Sequence, residues 1–135
     1  MSDSLKIVVF GATGKMGQEI SHEVYNNISL ELFAAVDVES SGRIGKDVGE
    51  LIGLNTGIKI SSDFESSLEG ADVVIDFTRP EASLKFIKLC ANNNVAYVLG
   101  TTGFSDQEKK LITELSTKIP ICFSPNMSIG VNVLI

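Results

Sequence analysis

One stretch limits the fold more than any other. The apolar run Ile7-Val8-Val9-Phe10 stops at a glycine-rich turn, Gly11-Ala12-Thr13-Gly14-Lys15-Met16-Gly17. A continuously apolar run reads as a strand buried on both faces, as in a parallel sheet. Glycines let the chain turn tightly and let its backbone approach a phosphate closely. The pattern beyond the turn is helical, and a helix there points its free N–H groups and positive dipole end at an anion. The spacing is G-x-x-G-x-x-G rather than the commoner G-x-G-x-x-G, but the physical reasoning carries over.

The rest of the chain alternates in the same way. Leu5–Phe10 reads as a strand and Lys15–Asn27 as a helix on the stripe Met16, Ile20 and Val24. Leu30–Val36 reads as a second strand with Asp37 at its C-terminal end. A polar loop over 39–46, a short helix over 47–52 and a short strand at Ile58–Ile60 follow. Asp63 is a candidate cap for one or two helical turns up to Leu68. Ala71–Phe77 reads as a strand, and Pro80 suits the first position of a helix running to about Asn92, with Leu84, Ile87 and Ala91 on one side. Val95–Leu99 is the next strand. Ser105 and Glu108 form a capping box for a helix to about Lys118, on Leu111, Ile112 and Leu115. Pro120–Phe123 is a last strand, and Met127–Ile135 begins a further helix. Alternating strands and helices imply an α/β fold. The expectation is a Rossmann-like, doubly wound parallel sheet with helices on both faces and right-handed crossovers.

Ligands of such sheets bind at the carboxyl ends of the strands. The polar and glycine-rich segments 11–17, 37–45, 76–80, 100–104 and 124–130 all fall there. The turn at 11–17 therefore reads as a site for the pyrophosphate of a nicotinamide dinucleotide. Asp37, 20 residues after Gly17, stands where an acid receives the adenosine ribose hydroxyls. A carboxylate there repels a 2′-phosphate. Val38 beside it supplies no cation, while Arg43 lies further along the loop. The expectation is NADH in preference to NADPH, with NADPH possible. Lys15 either adds charge to the pyrophosphate or lies in solvent. Thr78 and Arg79 either flank the adenosine or serve as cap and surface charge. The Gly100-Thr101-Thr102-Gly103 segment offers amides, carbonyls and hydroxyls suited to a nicotinamide carboxamide, or is an ordinary strand–helix loop.

Composition excludes several other classes. The chain's 135 residues suit one domain, with 44% apolar and 21% charged residues as in a globular protein. The net charge of 11 − 17 = −6 argues against nucleic acid and an anionic membrane surface as partners. Cys90 and Cys122 lie in apolar elements without a C-x-x-C pair, so they read as buried free thiols in a reducing cytoplasm. No leader or membrane span is legible. His22, the one histidine, lies off the apolar stripe of its helix and reads as a surface residue, and no metal site is expected. No Ser-His-Asp or Cys-His arrangement can be assembled, and no candidate general acid stands out.

Four segments in order then carry a resemblance. They are Gly11–Gly17, Asp76-Phe77-Thr78-Arg79-Pro80-Glu81, Gly100-Thr101-Thr102-Gly103-Phe104 and Ser124-Pro125-Asn126-Met127-Ser128-Ile129-Gly130-Val131-Asn132. Together they closely resemble the 4-hydroxy-tetrahydrodipicolinate reductase (dihydrodipicolinate reductase) family of bacterial lysine biosynthesis. The resemblance covers the whole chain, and the last two motifs are the most specific.

The resemblance implies that Gly11, Ala12, Thr13, Gly14, Lys15 and Met16 wrap the pyrophosphate and that Asp37 holds the adenosine ribose. It implies that Gly100, Thr101, Thr102, Ser124, Pro125, Asn126 and Met127 contact the nicotinamide end. Lys15 stands where the family often has arginine. Members that use NADPH well commonly carry arginine at the place of Val38. The family continues into a second domain that supplies a paired-histidine motif, a proton-donating lysine, the grip on a cyclic unsaturated dicarboxylate and the homotetramer contacts. None of these is present in residues 1–135, so the expectation is a dinucleotide-binding portion ending near the interdomain hinge. The alternative is a stand-alone dinucleotide-sensing module without catalysis.

Overall fold

The computed structural model describes residues 4–101 and 103–123. Thr102, Ser124, Pro125, Asn126, Met127 and the helix expected over Met127–Ile135 lie outside the described residues. Six strands are described, β1 (Leu5–Phe10), β2 (Leu30–Val36), β3 (Ile60–Ser61), β4 (Val73–Asp76), β5 (Ala96–Leu99) and β6 (Ile121–Phe123). Three α-helices join them, α1 (Lys15–Asn26), α2 (Pro80–Asn92) and α3 (Asp106–Leu115). The strands form one sheet in the order β3-β2-β1-β4-β5-β6, with every pair parallel. This is the doubly wound α/β sheet expected from the strand–helix alternation.

Each face of the sheet has its own core, as the alternation of side chains along a strand requires. Ile7 and Val9 of β1 pack with Ile20 and Val24 of α1 on one face. Val8 and Phe10 pack on the other face with Ile87, Cys90 and Ala91 of α2 and Leu115 of α3. All four of these β1 side chains are fully buried. Each such side chain contributes on the order of 1.5–3 kcal/mol, which explains why the first strand is apolar without interruption.

The buried stripe of α1 differs from the expected one. It is Gly17, Ile20, Ser21 and Val24, while Met16 is 43% exposed. The helix meets the glycine turn at Gly17, where an added Cβ would lie 2.1 Å from the Gly11 carbonyl oxygen. That contact sets the helix rotation and turns Met16 outward.

Ile58 does not join the short strand expected there, which is Ile60–Ser61 instead. Ile58 and Ile60 spend backbone hydrogen bonds on the preceding loop: Val48 N–H donates to the Ile58 carbonyl and Ile60 N–H to that of Lys46. Helix α3 has the expected capping box, with Glu108 N–H donating to Ser105 Oγ and Ser105 N–H to Glu108 Oε1. It ends at Leu115 rather than Lys118. The hydroxyls of Ser116 and Thr117 donate to the carbonyls of Thr113 and Glu114 and compete with the helical ladder.

Candidate dinucleotide site

The strand order reverses direction between β1 and β4, and the glycine turn leaves the sheet at that point. Gly11 has φ +79°, a left-handed conformation that L side chains rarely adopt. A Cβ there would also stand 3.2 Å from the Phe77 carbonyl carbon. The turn is tied to its surroundings by its own amides. Gly11 and Ala12 N–H donate to the Val36 carbonyl, and Gly14 N–H to that of Gly11. Gln18 Nε2 holds the Thr13 carbonyl at 2.7 Å.

The next amides are differently placed. Gly14 is the N-cap of α1 and supplies no side-chain cap. By helix geometry the N–H groups of Lys15, Met16 and Gly17 have no intrahelical acceptor. The first turn of α1 therefore presents bare donors and the positive end of a helix dipole. This is the arrangement that holds an anion. At Gly14 an added Cβ would have only an ordinary contact, 3.5 Å from the Gly11 carbonyl oxygen, so no protein atom crowds this approach.

Asp37 follows β2 directly. Its Oδ2 accepts from both Thr13 N–H, at 2.9 Å, and Thr13 Oγ1, at 2.6 Å. Its Oδ1 accepts from Val38 N–H at 2.8 Å. Oδ2 thus has both lone pairs engaged, and Oδ1 keeps one for a further donor. Asp37, Val38, Thr13, Gly14 and Gly11 line one recess, closed on its other side by Phe77, Thr78, Arg79, Glu81, Ala82 and Phe86.

The recess thus brings together Gly11, Thr13, Gly14 and Asp37 of the expected set, with Thr78 and Arg79. Ala12 is buried in the core, so only its backbone faces the turn. The side chain of Lys15 lines a separate shallow depression on the outer face of α1, with Gln18, Glu19, His22 and Glu23. Neither Lys15 nor Met16 lines the recess itself. His22 is exposed on the same outer face. Arg43 does not line the recess, and its N–H donates to Ser41 Oγ. Gly100 N–H donates to the Asp76 carbonyl at the end of β5, and Thr101 is buried beside it.

The wall formed by Ala82 and Phe86 was not expected from the sequence. Phe86 stacks on Phe64 with centroids 4.4 Å apart, and both meet Phe10 edge-on. Its signal is the i, i+4 pair on the opening turns of a helix that starts at a strand's carboxyl end. Among the described residues, no three His, Cys, Asp or Glu side chains cluster as metal ligands. Likewise no described helix is long and apolar enough to cross a membrane.

An all-parallel sheet in this order, with a glycine turn and a bare helix N-terminus at the reversal, defines the Rossmann class of nucleotide-binding folds. Residues 5–127 match the family described as "Dihydrodipicolinate reductase, N-terminus", and the chain belongs to that family. It is 45% identical over 130 residues to the 4-hydroxy-tetrahydrodipicolinate reductase of Chromobacterium violaceum, covering 96% of this chain and 49% of that protein. It is 44% identical over 136 residues to the reductase of Acinetobacter baylyi, covering 100% and 50%. A dipicolinate-bound dihydrodipicolinate reductase from Paenisporosarcina sp. TG-14 superimposes with a TM-score of 0.74 at 32% identity, over 94% of this chain and 49% of that one. A Rex-family repressor shares the fold alone, with a TM-score of 0.64 at 11% identity, over 97% and 57%. The chain spans about half the length of the curated relatives it matches.

Proposed function

We propose that this chain holds the dinucleotide of a dihydrodipicolinate reductase. It would orient NAD(P)H for hydride transfer to a cyclic unsaturated dicarboxylate in lysine biosynthesis. The observation that carries the reading is the joining of Asp37 to the glycine turn through Thr13, next to the bare N-terminus of α1. The adenosine ribose would meet Asp37. The pyrophosphate would meet the amides of the first α1 turn, and the nicotinamide would extend toward the ends of β4 and β5. When bound, the cofactor supplies the hydride. This chain's own residues fix the cofactor's position.

Within that reading we assign NADH as the preferred cofactor. Val38, 49% exposed, is the neighbour of the Asp37 carboxylate in the recess, where a 2′-phosphate would need a cation. Arg79 on the opposite wall leaves NADPH a weaker route. Proton donation, the grip on the dicarboxylate and the contacts of a homotetramer belong in this reading to a second domain outside residues 1–135, in a cytoplasmic enzyme. The chain alone then binds NADH weakly and turns over little. The reductase names of its relatives favour this reading over a stand-alone sensing module.

Titration of the chain with NADH, NADPH and ADP-ribose, followed by nicotinamide fluorescence and calorimetry, tests the reading. NADH binding that Asp37→Ala weakens supports it. Absence of binding by all three ligands rejects it.

A further inference from the structure

Behind the recess, on the α2 side of the sheet, a buried run of hydroxyls joins the ends of two strands. Asp76 and Ser83 are fully buried, and Thr101 nearly so. Thr78 N–H and Thr78 Oγ1 both donate to Asp76 Oδ1, each at 2.6 Å. The Tyr97 hydroxyl donates to Asp76 Oδ2. Ser83 Oγ lies 3.4 Å from Thr78 Oγ1 and 3.2 Å from Thr101 Oγ1.

The protons along this run have one consistent order. A carboxylate only accepts, so the hydroxyl protons of Thr78 and Tyr97 are committed to Asp76. Thr78 Oγ1 and the Tyr97 oxygen, which Ser83 also meets, then offer Ser83 lone pairs alone, and the Ser83 proton goes to one of them. Ser83 in turn accepts from Thr101. The direction is Thr101 to Ser83, and from there through Thr78 or Tyr97 to Asp76. The Thr101 oxygen, its proton used, is left as an acceptor for any further partner.

We propose that Ser83 is a positioning residue. It ties Thr101, after β5, to Thr78, after β4, and orients the Thr101 hydroxyl as an acceptor for the carboxamide N–H of the nicotinamide. The inference rests on the reading that a dinucleotide crosses these strand ends with its adenosine at Asp37. Thr78 is held independently by two bonds to Asp76, so loss of the Ser83 hydroxyl releases Thr101 and spares the adenosine side.

The test is a titration of the full chain, as wild type, Ser83→Ala, Thr101→Val and the double variant. The ligands are NADH, ADP-ribose and the reduced 3-acetylpyridine analogue, in which a methyl group replaces the carboxamide nitrogen. Ser83→Ala is expected to bind ADP-ribose within about twofold of wild type and NADH about tenfold more weakly, the worth of one hydrogen bond. It is also expected to lose the preference for NADH over the acetylpyridine analogue. The double variant is expected to bind NADH no more weakly than Thr101→Val, since both act through one contact. Equal losses for NADH and ADP-ribose, or additive losses in the double variant, overturn the proposal. If Ser83→Ala does not fold, Thr101→Val alone decides: retained discrimination against the acetylpyridine analogue overturns the proposal. Wild type that binds ADP-ribose as tightly as NADH overturns this inference and leaves the dinucleotide reading standing. Wild type that binds neither ligand rejects that reading itself.

Discussion

Thr13 grips Asp37 twice, through its amide and its hydroxyl, on the same carboxylate oxygen at 2.9 and 2.6 Å. The glycine turn after β1 and the acid after β2 are thereby one rigid unit. Hydrogen bonds to a charged group contribute about 1.5–3 kcal/mol each, so the carboxylate is oriented before any ligand arrives. Asp37→Ala is expected to lower NADH affinity by about tenfold or more, and Thr13→Val by about three- to tenfold. Calorimetric titration measures both. Wild-type affinity in Asp37→Ala would remove the ribose from this position.

The glycines of the turn separate folding from binding. A Cβ at Gly17 would stand 2.1 Å from the Gly11 carbonyl oxygen, a backbone atom with no room to give. Gly17→Ala is expected to destabilise the chain by about 1–3 kcal/mol or more, read as a fall in the thermal midpoint. Gly14→Ala meets only an ordinary 3.5 Å contact and has a φ of −72° that alanine adopts freely. It is expected to fold like wild type and to bind NADH more weakly, because its methyl group enters the approach to the bare helix end. A Gly14→Ala variant that unfolds, or a Gly17→Ala variant as stable as wild type, contradicts this division.

Val38→Arg places a cation beside Asp37 at the recess. It is expected to raise NADPH affinity relative to NADH by about tenfold, about the strength of a charge-assisted contact to phosphate. The ratio of the two dissociation constants, before and after substitution, measures it. An unchanged ratio contradicts the assignment of the ribose end to this part of the recess.

Two buried acids make stability fall at alkaline pH. Burial, with a smaller push from the Asp76 charge, raises the Cys90 thiol to about 12 from an ordinary value of 9.0. Burial followed by the Asp76 charge raises Tyr97 well above its ordinary 10.0. Both groups titrate higher when folded than when unfolded. Their stabilisation is therefore complete below the unfolded values and is lost as pH rises from about 9 toward 12. Unfolding free energies from urea titrations are expected to decline over that window, by at most about 1.4 kcal/mol per pH unit for each group. Cys90→Ala is expected to flatten the early part of the decline. A profile that rises above pH 9, or an unchanged slope in Cys90→Ala, contradicts the burial argument.

The sheet was legible because it needs strong, local signals. Buried parallel strands must be apolar throughout, as at Ile7–Phe10, and the turn that follows needs glycine at Gly11. Pro80 and the Ser105–Glu108 box marked helix starts for equally local reasons. The placement of Asp37 was also legible, since it follows from strand length. Its pair of hydrogen bonds from Thr13 was not, because they join residues 24 apart through a tertiary contact. The rotation of α1 likewise depends on a tertiary contact. Periodicity admits Met16 or Gly17 on the buried stripe, and only the collision at the Gly11 carbonyl decides between them. The Asp76–Ser83–Thr101 run lay beyond reach, as it needs β4, α2 and β5 to be side by side.

The central claim is that the turn at 11–17 and Asp37 hold a dinucleotide. Backbone amide chemical-shift mapping of the chain during an NADH titration tests it most directly. The largest, saturable shifts are expected at Lys15, Met16, Gly17, Asp37 and Val38, with the outer faces of α1 and α3 unmoved. Saturable binding that leaves those amides in place, or shifts them no more than the outer faces, contradicts it.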